Sequence, residues 1–273
     1  MSFYKNAGGI SHPTTTAELQ NEIKTRLNRG QTNLNDIDTS GITDMSDLFY
    51  DFKQIQNIDI SLWDVSNVRD MSYMFFSCKD FNCDLSKWDV SNVENMTSLF
   101  SGCTNFNSDL SKWNVSKVKS TQYMFGYCHQ FNSDLSRWDV SRVLSMHSMF
   151  VYCKNFNSDL SHWDVSNIEV MSNLFNGCEK FNSDLSCWDV SKVKNMSHMF
   201  CNCFDFNSDL SKWDTGKVKD MRGMFYGCTN FNCDLSGWDI SKVQNMKHMF
   251  YNSGMKEEPE WYLIKKCLEK YLP

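Results

Sequence analysis

The stretch from Cys103 to Cys128, CTNFNSDLSKWNVSKVKSTQYMFGYC, decides the reading of this chain, because it returns almost unchanged every 25 residues. Tryptophan marks the period at Trp63, Trp88, Trp113, Trp138, Trp163, Trp188, Trp213 and Trp238. The shared pattern is CxxFNxDLSxWDVSxVxxMxxMFxxC, which recurs nearly in full from Cys78 onward. A degenerate copy precedes it around Ile60 to Phe75, and a half-copy lies at Ile37, Ile42, Met45, Leu48 and Phe49. Self-similarity at this period is the mark of stacked repeats, each too small to bury its own apolar face.

Within one repeat, Asn107 to Ser111 alternates, which predicts a short strand with Asn107, Asp109 and Ser111 outward and Ser108 and Leu110 inward. Ser116 is placed to cap a short helix in which Val118, Thr121, Met124 and Phe125 fall three and four apart. The expected fold class is therefore an α/β repeat solenoid, leucine-rich-repeat-like, with one short parallel strand and one short helix per 25-residue coil. A right-handed parallel β-helix is the alternative, but its period-two pattern should run over several faces of the coil. Three regions follow: an N-terminal helical cap at 1–33, a repeat solenoid at 34–254, and a C-terminal helical cap at 255–273. In the first cap Leu19, Ile23 and Leu27 share a face between Thr14 and Arg29, and Gly30 stops the helix. In the second, Pro259 opens a helix with Trp261, Ile264, Leu268 and Leu272 on one face, beside Leu263 and Cys267.

The pattern CxxF…VxxMxxMFxxC resembles the bacterial leucine-rich repeats of BspA-like surface proteins, and most of all the DLSxWDVSxVxxMxxMF repeats of mycoplasma lipoproteins. The resemblance covers most of the chain and implies a scaffold of largely unknown function, with surface display, adhesion and partner binding as its typical roles. The start, MSFYKNAGG, lacks the order of a secretory signal, and no lipid-anchor cysteine follows an apolar run. A cytoplasmic location is the expectation from that start, with the cell surface or leaderless secretion as the alternative that the resemblance implies.

Because repeats stack, each consensus position becomes a row, and function is read from rows. Cys78, Cys103, Cys128, Cys153, Cys178, Cys203 and Cys228 read as small buried hydrophobes. His198, Cys201 and Cys203 lack the second pair that a zinc site needs, so no metal and no cofactor is expected. Trp, Met and Phe rows read as core. Two aspartate rows carry the charge. Asp64, Asp89, Asp139, Asp164, Asp189, Asp214 and Asp239 follow the tryptophans, with Asn114 standing in once, and are expected to accept turn N–H groups. Asp84, Asp109, Asp134, Asp159, Asp184, Asp209 and Asp234 lie on the outward strand face, where a structural ladder competes with partner binding. Lys87, Lys112, Arg137 and Lys212 precede their tryptophans and complete the partner-binding set. A second basic row begins the expected helices at Lys117, Arg142, Lys192, Lys217 and Lys242. Tyr73, Tyr123, Tyr127, Tyr152, Tyr226 and Tyr251 occupy variable slots suited to contact.

A net charge of -6, and basic rows without interleaved exposed aromatics, argue against nucleic acid. No apolar run is long enough to span a membrane. Phosphate-loop, dinucleotide, HExxH and nucleophile-elbow motifs do not occur, and identical serines in every repeat do not make one asymmetric catalytic constellation. The expectation is a non-enzymatic scaffold, monomeric or weakly oligomeric. It mediates protein–protein or cell-surface contact, with a glycan-binding adhesin-like module as alternative and a hydrolase built on the same frame as a distant third.

Overall fold

The computed structural model describes residues 11–271, apart from 51 and 53–54, with the side chains of 269–271 left aside. Between its two terminal helices the chain runs through repeat after repeat, and each repeat bonds to the next. The ladder that joins them is built on the MxxMF segment. Met146, Ser148, Phe150 and Tyr152 donate their N–H groups to the carbonyls of Val170, Ser172, Leu174 and Asn176, at 3.0, 2.9, 3.0 and 2.6 Å. The residues between them turn back on their own coil: Met149 donates to Met146, Val151 to Ser148 and Cys153 to Phe150. Parallel bridges then follow one another through Asp70, Asn95, Ser120, Ser145, Val170, Asn195, Asp220 and Asn245.

This arrangement corrects the expected division of the coil. No helix forms over the SxVxxMxxMF segment, which is a run of consecutive turns. Two residues of each coil hold left-handed backbone, for example Ser148 at φ 55 and Tyr152 at φ 57, or His198 at φ 54 and Asn202 at φ 57. Each left-handed residue interrupts the i to i−4 bonding of an α-helix and swings alternate N–H groups toward the neighbouring coil. The buried side chains still fall three or four apart, at Val143, Met146, Met149, Cys153 and Phe156, because turns closed by i to i−3 bonds also advance in threes.

The DLS strand is corrected too. Burial alternates as expected, with Ser108 and Leu110 buried and Asn107 and Asp109 exposed, but no strand is assigned among the described residues. Side chains take the donors that a parallel ladder would use. The N–H of Asn107 goes to Oδ1 of Asn82, and those of Asn132, Asn157 and Asn182 go to the asparagine of the preceding coil, all at 2.8 Å. Leu110 and Leu135 donate to Oγ of Ser133 and Ser158 in the following coil, at 2.8 and 2.9 Å. Ser111 donates to Oδ1 of Asp109.

Inside, each row is a stack. Trp188 lies over Trp213 at 6.5 Å with 1° between planes, and Phe150 over Phe175 at 5.8 Å with 3°. Every indole finds an acceptor in the preceding coil, as Trp138 Nε1 does in the carbonyl of Leu110 at 3.1 Å. The cysteine row behaves alike: Sγ of Cys153 donates to Phe125 O at 2.9 Å and Sγ of Cys178 to Phe150 O at 3.0 Å. The thiol is thus both a small apolar filler and a donor that satisfies a buried carbonyl.

The ends close the stack differently. Helix α1 spans Thr16–Asn28, capped by Thr15, and buries Leu19 and Ile23. Glu18 reaches back to the N–H and hydroxyl of Thr14, both at 2.9 Å, in the manner of a capping box. Its Thr16 and Gln20 side chains donate to Asp44 O and Leu48 O, carbonyls on the leading edge of the ladder. Helix α2, Glu260–Tyr271, starts after Pro259. There Trp261 takes the place of the next indole, with Nε1 donating to Leu235 O at 2.9 Å. The face expected for α2 is corrected: Trp261 and Tyr262 pack on Phe250, while Leu263, Ile264 and Leu268 are exposed. Anchoring through the indole fixes which side of the helix meets the stack. Leu272 lies outside the described residues, as do residues 1–10 of the N-terminal cap.

Candidate functional site

Both aspartate rows are built by the same local device. In the outward row, Asp84, Asp109, Asp134, Asp159, Asp184, Asp209 and Asp234 each accept the N–H of the serine two residues on, at 2.9 Å through Oδ1. In the tryptophan-linked row Asp89, Asp139 and Asp189 do the same toward Ser91, Ser141 and Ser191 at 3.0 Å, and Asn114 serves Ser116 at 3.1 Å. The hydrogen bonding expected of the tryptophan-linked row is present. It extends to the outward row, where the bonded carboxylates remain exposed. Oδ2 of those outward aspartates has no hydrogen-bond partner among the described residues.

The electrostatics follow from that geometry. The backbone N–H and then the hydroxyl of Ser86 hold the Asp84 carboxyl below its ordinary range, with Lys87 helping and Asp109 opposing. For Asp109 the Ser111 hydroxyl leads and Lys112 adds to it. Asp134 and Asp209 follow the Asp84 order, helped by Arg137 and Lys212. Repulsion along the row is therefore offset by fixed donors in the turn and by bases alongside. The structure thus brings Lys87, Lys112, Arg137 and Lys212 next to the aspartates, and none of these four forms an ion pair among the described residues. A cavity of about 570 Å³ opens on this face, lined by Asp184, Asp209 and Lys212 with Asn182, Asn207 and Cys187.

The second basic row is partly engaged within the protein. Lys117 and Lys192 donate to Asn92 and Asn167 of the preceding coil, and the neighbouring Lys119 and Lys194 pair with Glu94 and Glu169 at 2.6 and 2.7 Å. Of His198, Cys201 and Cys203, burial lowers the histidine, and burial raises the Cys201 thiol to about 11. Cys203 is committed to the Phe175 carbonyl. No group of three possible metal ligands occurs among the described residues.

Sequence reasoning missed the left-handed edge. The row Ser77, Gly102, Tyr127, Tyr152, Gly177, Asn202, Gly227, Asn252 is rich in glycine and asparagine, the residues that adopt positive φ most readily. That composition at one fixed place in consecutive coils was the available signal against a helix.

These features define a repeat protein in which neighbouring repeats bond and stack on one another. Residues 18–135, 109–196 and 152–261 match the family described as "Mycoplasma protein of unknown function, DUF285". The chain belongs to that family. No curated protein and no solved structure matches it.

Proposed function

We propose that the chain is a non-enzymatic repeat solenoid that presents its outward aspartate row and the basic row beside it to a protein partner. One observation carries this reading. Each outward aspartate uses one oxygen to fix its own turn and leaves the other in solvent, and Asp84, Asp109, Asp134 and Asp209 do so next to the unpaired Lys87, Lys112, Arg137 and Lys212. Such a surface is rigid before binding and bears both signs of charge, so it suits an extended polar partner segment of complementary charge. Membership of a repeat family of unknown function is consistent with this role. Among the described residues no helix is long and apolar enough to cross a membrane.

The test is affinity capture from cell extract with the wild-type chain and with Asp134→Asn, Asp159→Asn and Asp184→Asn combined. Asparagine keeps the turn acceptor, as Asn114 does, and removes only charge. The reading expects partner loss with an unchanged thermal melt. Charge reversal at Lys112, Arg137 and Lys212 should likewise abolish capture. An unchanged set of captured proteins in both variants would overturn it.

A further inference from the structure

A second surface lies on the left-handed edge, on rows other than those of the aspartates. Where consecutive coils both carry rings there, the rings stack: Tyr50 on Phe76 at 5.1 Å and 6°, and Tyr127 on Tyr152 at 5.1 Å and 23°. Between these two stacks runs a coil that contributes Ser98, Ser101 and Gly102 and no ring. Phe76 ends one stack and Tyr127 the other. A cavity of about 460 Å³ opens between them, with Tyr73 and Tyr123 completing its walls. Phe76 and Tyr127 lie two coils apart on adjacent rows, so these walls are separated by about 10 Å along the stack and offset by one residue across it.

The floor identifies the occupant. Ser98 and Ser101 are only 4% and 5% exposed, and neither hydroxyl has a hydrogen-bond partner among the described residues. The fully buried polar atoms without a partner among the described residues are Thr121 Oγ1 and Asn176 Oδ1, so the Ser98 and Ser101 hydroxyls are open to the cavity, where each can both donate and accept. No charged side chain lines the cavity. The complementary ligand therefore has two apolar faces, hydroxyls along its edge and no net charge. A phenyl ring would satisfy the walls and strand the hydroxyls, and an anion would meet no cation. We propose that this slot binds a neutral hexopyranose, with its C–H faces against Phe76 and Tyr127 and its hydroxyls on Ser98 and Ser101.

Saturation-transfer NMR on the full chain with glucose, galactose, mannose and N-acetylglucosamine, each run separately, and with phenol as a control, tests this. The slot predicts transfer to at least one sugar. Ser101→Tyr should abolish it with an unchanged melt, because Tyr50, Tyr226 and Tyr251 occupy the same row elsewhere. Ser98→Ala should weaken it about tenfold by removing a hydrogen bond, and Ser101→Ala, which adds no bulk, should do likewise if the tyrosine variant fails to fold. Transfer to none of the sugars, transfer unchanged in the variants, or transfer to phenol alone would overturn the proposal. The triple aspartate variant should bind sugar normally, so loss of the protein partner and loss of the sugar slot are separately visible.

Discussion

At the scale of single residues, the aspartates of both rows are turn-builders first. Replacing Asp134 by Ala removes an acceptor that fixes the Ser136 N–H and should cost about 1 kcal/mol in urea unfolding, while Asp134→Asn should cost much less. Equal losses for the two variants would contradict the role given to Oδ1. Gly177 carries a different constraint. It sits at φ 76, and an added Cβ would meet Cδ1 of Tyr152 at 2.6 Å. Gly177→Ala should therefore destabilise by about 1–3 kcal/mol, from backbone strain together with displacement of the tyrosine ring. The thiols offer a third check. Cys187 and Cys267 are exposed, whereas the seven thiols of the repeat row are buried. Alkylation of the folded protein followed by mass spectrometry should label Cys187 and Cys267 rapidly and leave that row untouched until unfolding. The sequence made the cysteine row's burial legible, through its fixed place among Phe and Met, but not the carbonyl that each thiol serves, since that acceptor lies 28 residues away for Cys153 and Cys178.

At the scale of elements, the terminal helices were the most legible parts of the chain. Leu19 and Ile23 gave α1 its buried face, and Gly30, at φ 74, follows its end. The coil interior was legible in its burial and not in its backbone. Spacings of three and four, as in Val118, Thr121, Met124 and Phe125, suit an α-helix and a chain of three-residue turns equally well. Only the glycine and asparagine of the left-handed row separate the two. In the DLS segment, period two correctly sorted inside from outside. It could not show that Asn and Ser side chains would capture the backbone donors. Helix α2 shows the same limit: its heptad-like apolar face was visible, but the indole bond of Trp261 sets its orientation. Trp261→Phe keeps the ring and leaves Leu235 O without that donor. It should lower stability by about 1–2 kcal/mol, read by chemical denaturation. A neutral result would mean that the cap is held by apolar packing alone.

For the whole molecule, stability should be bounded on both sides of neutral pH. The outward aspartates have depressed values in the folded state, so their contribution is complete above the unfolded value of about 3.9 and is lost as pH falls below it. Asp38, held down to about 2 by Ser40 and then His12, belongs to the same group. Burial raises Cys103, Cys128, Cys178 and Cys203, so their contribution is present below the unfolded thiol value of about 8.5 and is lost as pH climbs above it. Melting temperature against pH should show a plateau that falls away at each end. A continued rise in alkali would contradict the buried thiol row. The candidate site was legible in part: both charged rows could be named from the repeat, whereas the ringless coil between Phe76 and Tyr127 emerges only when rows are aligned in space.

The central claim is that the MxxMF segment of each repeat donates its hydrogen bonds to the next repeat and not to itself as a helix. Detection of scalar couplings across hydrogen bonds in the deuterated, isotope-labelled protein tests it most directly. The account predicts cross-peaks from the Phe125 amide to the Met149 carbonyl and from the Phe150 amide to the Leu174 carbonyl. Cross-peaks from those amides to carbonyls four residues earlier in their own repeat would contradict it.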